Sequence, residues 1–195
     1  MNIRATLILP AAAVALLALA ACEKAVRSTG FIPTTVKMKT DDELTHSWRS
    51  PRLNLADYGK VTILAVETPE QGAYGNLTAE QLENCRRILS ERLKEAFAKA
   101  PGTGDRTLVI HAAITAIKPN QPMRNIAPQT QILKRGYGYA ACEIFASDGE
   151  LGPVLAAFMQ TSDTTRFSTE KLSETGTAER AAGDWATAFR KVVGY

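Results

Sequence analysis

The sequence predicts an α+β domain of two layers: a four-stranded mixed sheet with two helices on one face, in the order β-α-β-β-β-α. Three observations predict it. Two segments repeat apolar residues at helical spacing: Leu82, Cys85, Leu89, Leu93, Ala96 and Phe97, then Ala178, Ala181, Ala182, Trp185, Ala188, Phe189 and Val192. Four segments read as strands: Val61–Val66, Leu108–Ile117, Gly136–Ala146 and Pro153–Thr161. One helix falls between the first two strands, and a tight turn joins the last two.

Each element has a local reason. Val61–Val66 is apolar and β-branched, as in a buried strand. A loop with Gly and Pro follows, 68–76. Thr78-x-x-Gln81 is a capping box, and Leu77 and Leu82 fit the hydrophobic staple around it. Arg86, Arg87, Glu91, Lys94 and Glu95 fall mostly on the polar face of this helix, and Pro101-Gly102 ends it. Leu108–Ile117 alternates: Leu108, Ile110, Ala112, Ile114 and Ala116 share one face, and Val109, His111, Ala113, Thr115 and Ile117 the other. Ser147-Asp148-Gly149-Glu150 signals a hairpin turn, because Asp-Gly tolerates positive φ. The last helix is expected to take Thr177 as N-cap and to end at Gly194, with Gly183 as an internal cost.

These pieces assemble under simple rules. A right-handed crossover makes the first two strands parallel. The hairpin makes the last two antiparallel, and two apolar helix stripes suffice to cover one sheet face. Small residues Gly138, Ala140 and Cys142, with Ile144, are expected on the helix side of the third strand. The opposite, mixed face (Tyr137, Tyr139, Ala141, Glu143, Phe145) is expected to lie partly under an irregular N-terminal arm, residues 31–59, anchored by Phe31, Trp48 and Tyr58.

The first 21 residues read as an address. Arg4 precedes an apolar run of 17 residues, Ala5 to Ala21, which ends in small residues and is marginal for spanning a bilayer. Leu19-Ala20-Ala21-Cys22 resembles the bacterial lipobox. That resemblance implies a diacylglycerol thioether on Cys22, cleavage before it, and a third acyl chain on its amine. Several chains hold a protein on a membrane where one does not, at about 0.8 kcal/mol per buried CH₂. Glu23 in the next position implies the outer rather than the inner membrane, since aspartate there is the retention signal. The division is a signal peptide at 1–21, a lipidated tether at 22–30 and one periplasmic domain at 31–195.

Composition narrows the chemistry. The 195 residues are 45% hydrophobic and 22% charged with a net charge of +3, too small an excess to point to nucleic acid. Two histidines, His46 and His111, fall short of the three or four ligands a zinc site takes, so no metal and no cofactor is expected. Ser168-Thr169-Glu170-Lys171 spells Ser-x-x-Lys without the Lys-Thr-Gly that such nucleophiles accompany. Glu143 is a strand-borne acid with no nameable partner. Cys85 and Cys142 face each other across the predicted helix–sheet interface, at a spacing borderline for a disulfide and better read as two buried thiols. Residues 118–135 form a long connection carrying Lys118, Arg124, Lys134 and Arg135 and no acid, a candidate contact for an anionic envelope component or a partner protein.

The lipobox, Thr29-Gly30-Phe31-Ile32, Leu55-Ala56-Asp57-Tyr58-Gly59-Lys60-Val61, Ile114-Thr115-Ala116-Ile117-Lys118-Pro119-Asn120, and Cys142-Glu143-Ile144-Phe145 with Asp148-Gly149-Glu150 together resemble the DUF3313 family of bacterial lipoproteins of unknown function. The resemblance implies no catalytic residues. The resulting expectation is a periplasm-facing domain, lipid-anchored to the outer membrane, that binds or assembles and does not catalyse. One alternative is an envelope hydrolase built on Ser168 or Glu143. Another is an oligomeric accessory subunit of an envelope transport or assembly machine, associating through a free sheet edge or through the face with Tyr137 and Tyr139.

Overall fold

The computed structural model describes residues 28–118, 139–163 and 176–195. In chain order it contains β1 (Lys39–Asp42), β2 (Thr45–Arg49), β3 (Tyr58–Ile63), α1 (Ala79–Ala96), β4 (Arg106–Lys118), β5 (Tyr139–Asp148), β6 (Val154–Asp163) and α2 (Gly176–Val193). The sheet order is β1-β2-β6-β5-β4-β3. β3 and β4 are parallel across the α1 crossover, and every other pair is antiparallel.

The α+β class, the mixed sheet and the two helices on one face stand. The strand number does not: the sheet has six strands rather than four. The two extra strands come from the segment expected to be irregular. β1 and β2 form a hairpin that pairs with β6 from Thr45↔Gln160 to Arg49↔Ala156. Their sequences, Lys-Thr-Asp-Asp and Thr-His-Ser-Trp-Arg, show no apolar alternation. What fixes them is the ladder that β6 offers, helped by Thr45, which is buried, and Trp48, which packs against the Ile32, Ala157 and Met159 cluster. Tyr58, expected to anchor the arm, opens β3 and packs into the helix-side core, 1% exposed.

α1 starts as its sequence demands. The Thr78 hydroxyl accepts from the Gln81 N–H at 3.2 Å, and the Gln81 side chain accepts from the Thr78 N–H at 2.9 Å. Cys85, Leu89 and Leu93 are buried beneath it. Fully burying each leucine contributes about 1.5–3 kcal/mol. Its exposed ion pairs, such as Arg87–Glu91 at 2.8 Å, add little. α2 covers the other half of this face with Ala181, Ala182, Trp185, Ala186, Phe189 and Val193. It stops at Gly194 (φ +95°), whose N–H donates to the carbonyls of Arg190 and Lys191. The expected Thr177 cap lies outside the described side chains.

The alternation of β4 breaks at one point. A bulge between Ile114 and Ala116 leaves Thr115 unpaired with β5 and reverses the faces. Ile117 therefore joins the helix-side core instead of the opposite face. The outer side of β4 is used too: the Glu67 N–H donates to Ala112, Ala73 donates to Thr115, and Ile117 donates to Ala73.

Gly183 lies inside α2, and a Cβ placed there would meet nothing within 4 Å. Gly183→Ala is therefore expected to stabilise the domain by about 1 kcal/mol through helix propensity alone. Thermal unfolding would show a midpoint higher by about 2–4 °C.

Candidate functional site

Alternation gives the sheet a second face. β4 contributes Val109, His111 and Ala113 to it; β5 contributes Ala141, Glu143, Phe145 and Ser147; β6 contributes Ala157 and Met159. Residues 28–38 form a strap over this face. Ile32, 5% exposed, packs with Ala157 and Met159, and Val36, Met38, Trp48, Phe145 and Val154 close around them. The ring of Phe31 meets that of Phe145 at 5.4 Å. The expected cover of the mixed face is thus real, and Phe31 and Trp48 anchor it as expected; it is made by 28–38 and by Trp48 from β2, while Leu53 and Tyr58 pack on the helix side.

The strap is held by Glu143. One carboxylate oxygen accepts from the Thr29 N–H at 2.5 Å and from the Thr29 hydroxyl at 2.9 Å. The other oxygen accepts from the Ile32 N–H at 3.0 Å. The side chain is 0% exposed. A buried carboxylate is costly unless its lone pairs are satisfied, and here three donors satisfy them. Gly30 between the two amides has φ +84°, a left-handed conformation open to glycine, and this turn lets both N–H groups converge on one side chain.

Beside it, the His111 ring stacks on Phe145 (4.2 Å, 9°), and Nε2 lies 2.9 Å from the Ser147 hydroxyl. That hydroxyl donates to the Gly149 carbonyl at 2.6 Å, so Nε2 must be the protonated nitrogen and donate to Ser147. The serine's proton is directed away from the imidazole, and Ser147 is 1% exposed, the opposite of an activated nucleophile. Burial pushes the His111 pKa below 6.5, against a smaller opposing pull from Glu150 and Glu67. The folded state thus favours neutral imidazole, and His111 contributes stability above about pH 6.5 that is lost as the pH falls through its lower folded-state value. Denaturation midpoints are expected to drop on going from about pH 7 to 5.5, and His111→Gln is expected to flatten that slope.

A polar knot closes one end of the sheet. Arg106 Nε donates to Asp148 at 3.0 Å, its Nη2 pairs with the same carboxylate, and Tyr58 donates to Asp148 at 3.3 Å. The Arg106 guanidinium also lies 5.0 Å over the Tyr58 ring. Gly104 passes so close to this end that a Cβ there would collide with the Asp57 carbonyl. The knot ties the 100–106 loop to the β5–β6 hairpin.

Of the residues singled out from sequence, Cys22, Arg124, Lys134, Arg135 and Ser168 lie outside the described residues. Lys118 ends β4, exposed, its ammonium 5.9 Å above the Tyr139 ring. Glu143 is found, but as a clasp and not as an accessible acid. Cys85 and Cys142 are buried thiols in the helix–sheet core, and burial raises the Cys142 pKa. Among the described residues no group of three or more His, Cys, Asp or Glu could hold a metal, and no helix is long and apolar enough to cross a membrane. Pairing between Glu143 and the Thr29–Ile32 turn was missed. Its only sequence signal is a glutamate set between Cys142 and Ile144 on an otherwise apolar strand.

The architecture is that of a two-layer α+β body whose sheet is covered by helices on one side and by its own N-terminal strap on the other. The chain belongs to the DUF3313 family of proteins of unknown function, whose model matches residues 34–189. No curated protein matches it. It is similar to a point variant of the PelC dodecamer from Paraburkholderia phytofirmans, at 15% identity over 75% of this chain and 95% of that chain, TM-score 0.45. A second PelC dodecamer from the same organism shares 12% identity over 76% and 95%, TM-score 0.44. A candidate lipoprotein from Caulobacter crescentus CB15 shares 13% identity over 66% and 87%, TM-score 0.34.

Proposed function

We propose that this protein is a lipid-anchored envelope protein, fastened through Cys22 to the outer membrane, whose body binds or assembles with an envelope component and performs no reaction of its own. The observation that carries this reading is the clasp. Thr29 is held by Glu143 only seven residues after the lipobox cysteine. A chain spans at most about 3.5 Å per residue, so the strapped face stands within about 25 Å of the acylated sulfur whatever the path between them. The strapped face then looks toward the bilayer, and the helix layer looks away from it. Lys118, Arg124, Lys134 and Arg135 supply a basic stretch suited to an anionic headgroup or an acidic partner surface. The hydrolase alternative gains nothing from Glu143, whose oxygens are occupied by the strap.

Mass spectrometry of the N-terminal peptide, with fractionation of inner and outer membranes, tests the anchor. A diacylglyceryl adduct on Cys22 in the outer-membrane fraction is expected, and Cys22→Ser is expected to abolish it. A chain beginning at Met1, or an unmodified thiol at Cys22, would overturn the reading. Arg124→Glu with Lys134→Glu and Arg135→Glu is expected to reduce recovery of envelope proteins or anionic lipid in pulldowns. Unchanged recovery of both would remove the basic stretch from the proposal.

A further inference from the structure

We propose that two copies of this chain join through the open edge of β3, antiparallel, about a two-fold axis perpendicular to the sheet at Thr62. The two edges of the sheet are unlike each other. All four residues of β1 are exposed; it carries Lys39, Asp41 and Asp42, and its pairing shifts between Thr40 and Asp42. Charge, shortness and a bulge are the devices that keep an edge from pairing. β3 carries one charge, Lys60, and a register shift at its start between Tyr58 and Lys60; from Lys60 to Ile63 its register with β4 runs unbroken, and the chain continues as Leu64-Ala65-Val66.

The direction of its main-chain groups follows from one hydrogen bond. The Leu64 N–H donates to the Ile110 carbonyl at 3.0 Å. By the period of two, Thr62 also turns its N–H and C=O inward, while Val61 and Ile63 aim theirs outward. Beyond β3 no strand lies among the described residues. Val61 and Ile63 pack their side chains on the helix side, which leaves the Thr62 side chain on the strap side. A two-fold axis at Thr62 sets Val61 opposite Ile63 of the second copy, twice, as hydrogen-bonded pairs. Thr62 then faces its own counterpart as a non-hydrogen-bonded pair, with Cα atoms about 4.5 Å apart.

The helix layer fits the same axis. Along this edge a groove runs between Ile63–Val66 and the α1 side chains Glu83, Arg86, Glu91 and Lys94. Because α1 lines the groove along this edge, the α1 helices of the two copies become neighbours across the joined sheet. Antiparallel about mid-helix, Lys94 meets Glu83 of the second copy, and Glu91 meets Arg86, each an opposite-charge pair. Glu83 now pairs with Arg86, and Glu91 with Arg87, both at exposed positions, so exchanging partners costs little. The arrangement is isologous and closed, as two-fold dimers are. A perpendicular axis also leaves both straps on one side, so two anchors reach one bilayer. That last point rests on the anchored reading; the edge pairing does not.

The test uses the full chain in its native membranes. Thr62→Cys under mild oxidation is expected to run mostly as a disulfide-linked dimer on a non-reducing gel, since the paired Cα spacing falls in the disulfide range. Thr40→Cys, on the β1 edge, is expected to give no dimer beyond the parent's. The readout is dimer in excess of the parent, so an unacylated Cys22 thiol changes neither result. Arg86→Glu with Lys94→Glu is expected to cut the Thr62→Cys crosslink several-fold, and adding Glu83→Lys with Glu91→Lys to restore it. Light scattering of the detergent-solubilised parent should give the protein mass of two chains. A Thr62→Cys yield no higher than that of Thr40→Cys, or a parent mass of one chain, overturns the proposal.

Discussion

Replacing Trp185 with alanine is expected to lower the unfolding free energy by about 3–5 kcal/mol, a large share of what a domain of this size has. Trp185 is 1% exposed and sits where α2 meets α1 and the sheet, against Cys85, Leu89, Ile114, Ile117, Ala140 and Ala182. Several of these neighbours are alanine or cysteine, which cannot reach into a vacated space, so the site collapses poorly. The indole N–H also donates to the Ser162 hydroxyl at 3.1 Å. Trp185→Phe keeps most of the apolar contact and loses this bond, so its cost should stay nearer to about 1–2 kcal/mol. Urea denaturation separates the two variants. Thiol labelling gives an independent readout, because Cys85 and Cys142 are both buried in this core. The parent should label slowly in native buffer, and Trp185→Ala several-fold faster. Fast labelling of the parent would show that the helix–sheet seam is not packed as described.

What could be read in advance follows from how local each signal is. The α1 boundary was legible because cap, staple and apolar stripe all lie within one segment, and all point the same way. The hairpin at Asp148-Gly149 was legible for the same reason: Gly149 has φ +72°. The β1–β2 hairpin was not. Its residues have no hydrophobic period, and the information that makes it a strand pair resides in the β6 edge about 110 residues away. The Thr115 bulge was hidden for a related reason. An alternating apolar strand looks the same with or without an extra residue, and only the pairing with β5 on one side and Ala73 on the other reveals it.

The candidate site was legible as fragments and not as a site. Thr29-Gly30-Phe31-Ile32 and Cys142-Glu143-Ile144-Phe145 both stood out by resemblance, at opposite ends of the chain. The structure shows that they are two halves of one contact: Glu143 accepts from Thr29 and Ile32, and Phe145 meets Phe31. Leu55–Val61 and Asp148-Gly149-Glu150 behave alike, since Tyr58 donates to Asp148 and Arg106 lies near both Asp57 and Asp148. A single sequence displays such pairs as separate motifs because nothing in it records distance in space. The same blindness made Glu143 look like a reactive acid. A lone carboxylate on a strand has the same letter whether it faces a cleft or a pair of backbone amides.

Glu143→Gln is expected to release the strap while leaving the rest of the fold standing. Glutamine keeps the shape and one acceptor oxygen but turns the other into an NH₂, which confronts an N–H of Thr29 or Ile32 instead of accepting from it. An unsatisfied buried donor facing another costs about 2–3 kcal/mol. The strap can escape that cost by lifting into water, so the loss is local and the global melting point should move little. The expected signature is a rise of about 30- to 150-fold in exchange of the Ile32 amide, at about tenfold per 1.4 kcal/mol. Trypsin should also cleave faster after Lys37. Glu143→Asp, charged but one methylene shorter, should behave alike, which would separate reach from charge. On the anchored reading the consequence is a longer leash. The first fixed residue after Cys22 shifts from Thr29 to Lys39, and the greatest reach rises from about 25 Å to about 60 Å. Protection of the Ile32 amide equal in parent and variant would show that the carboxylate does not hold the strap, and the face would then have to be oriented by something else.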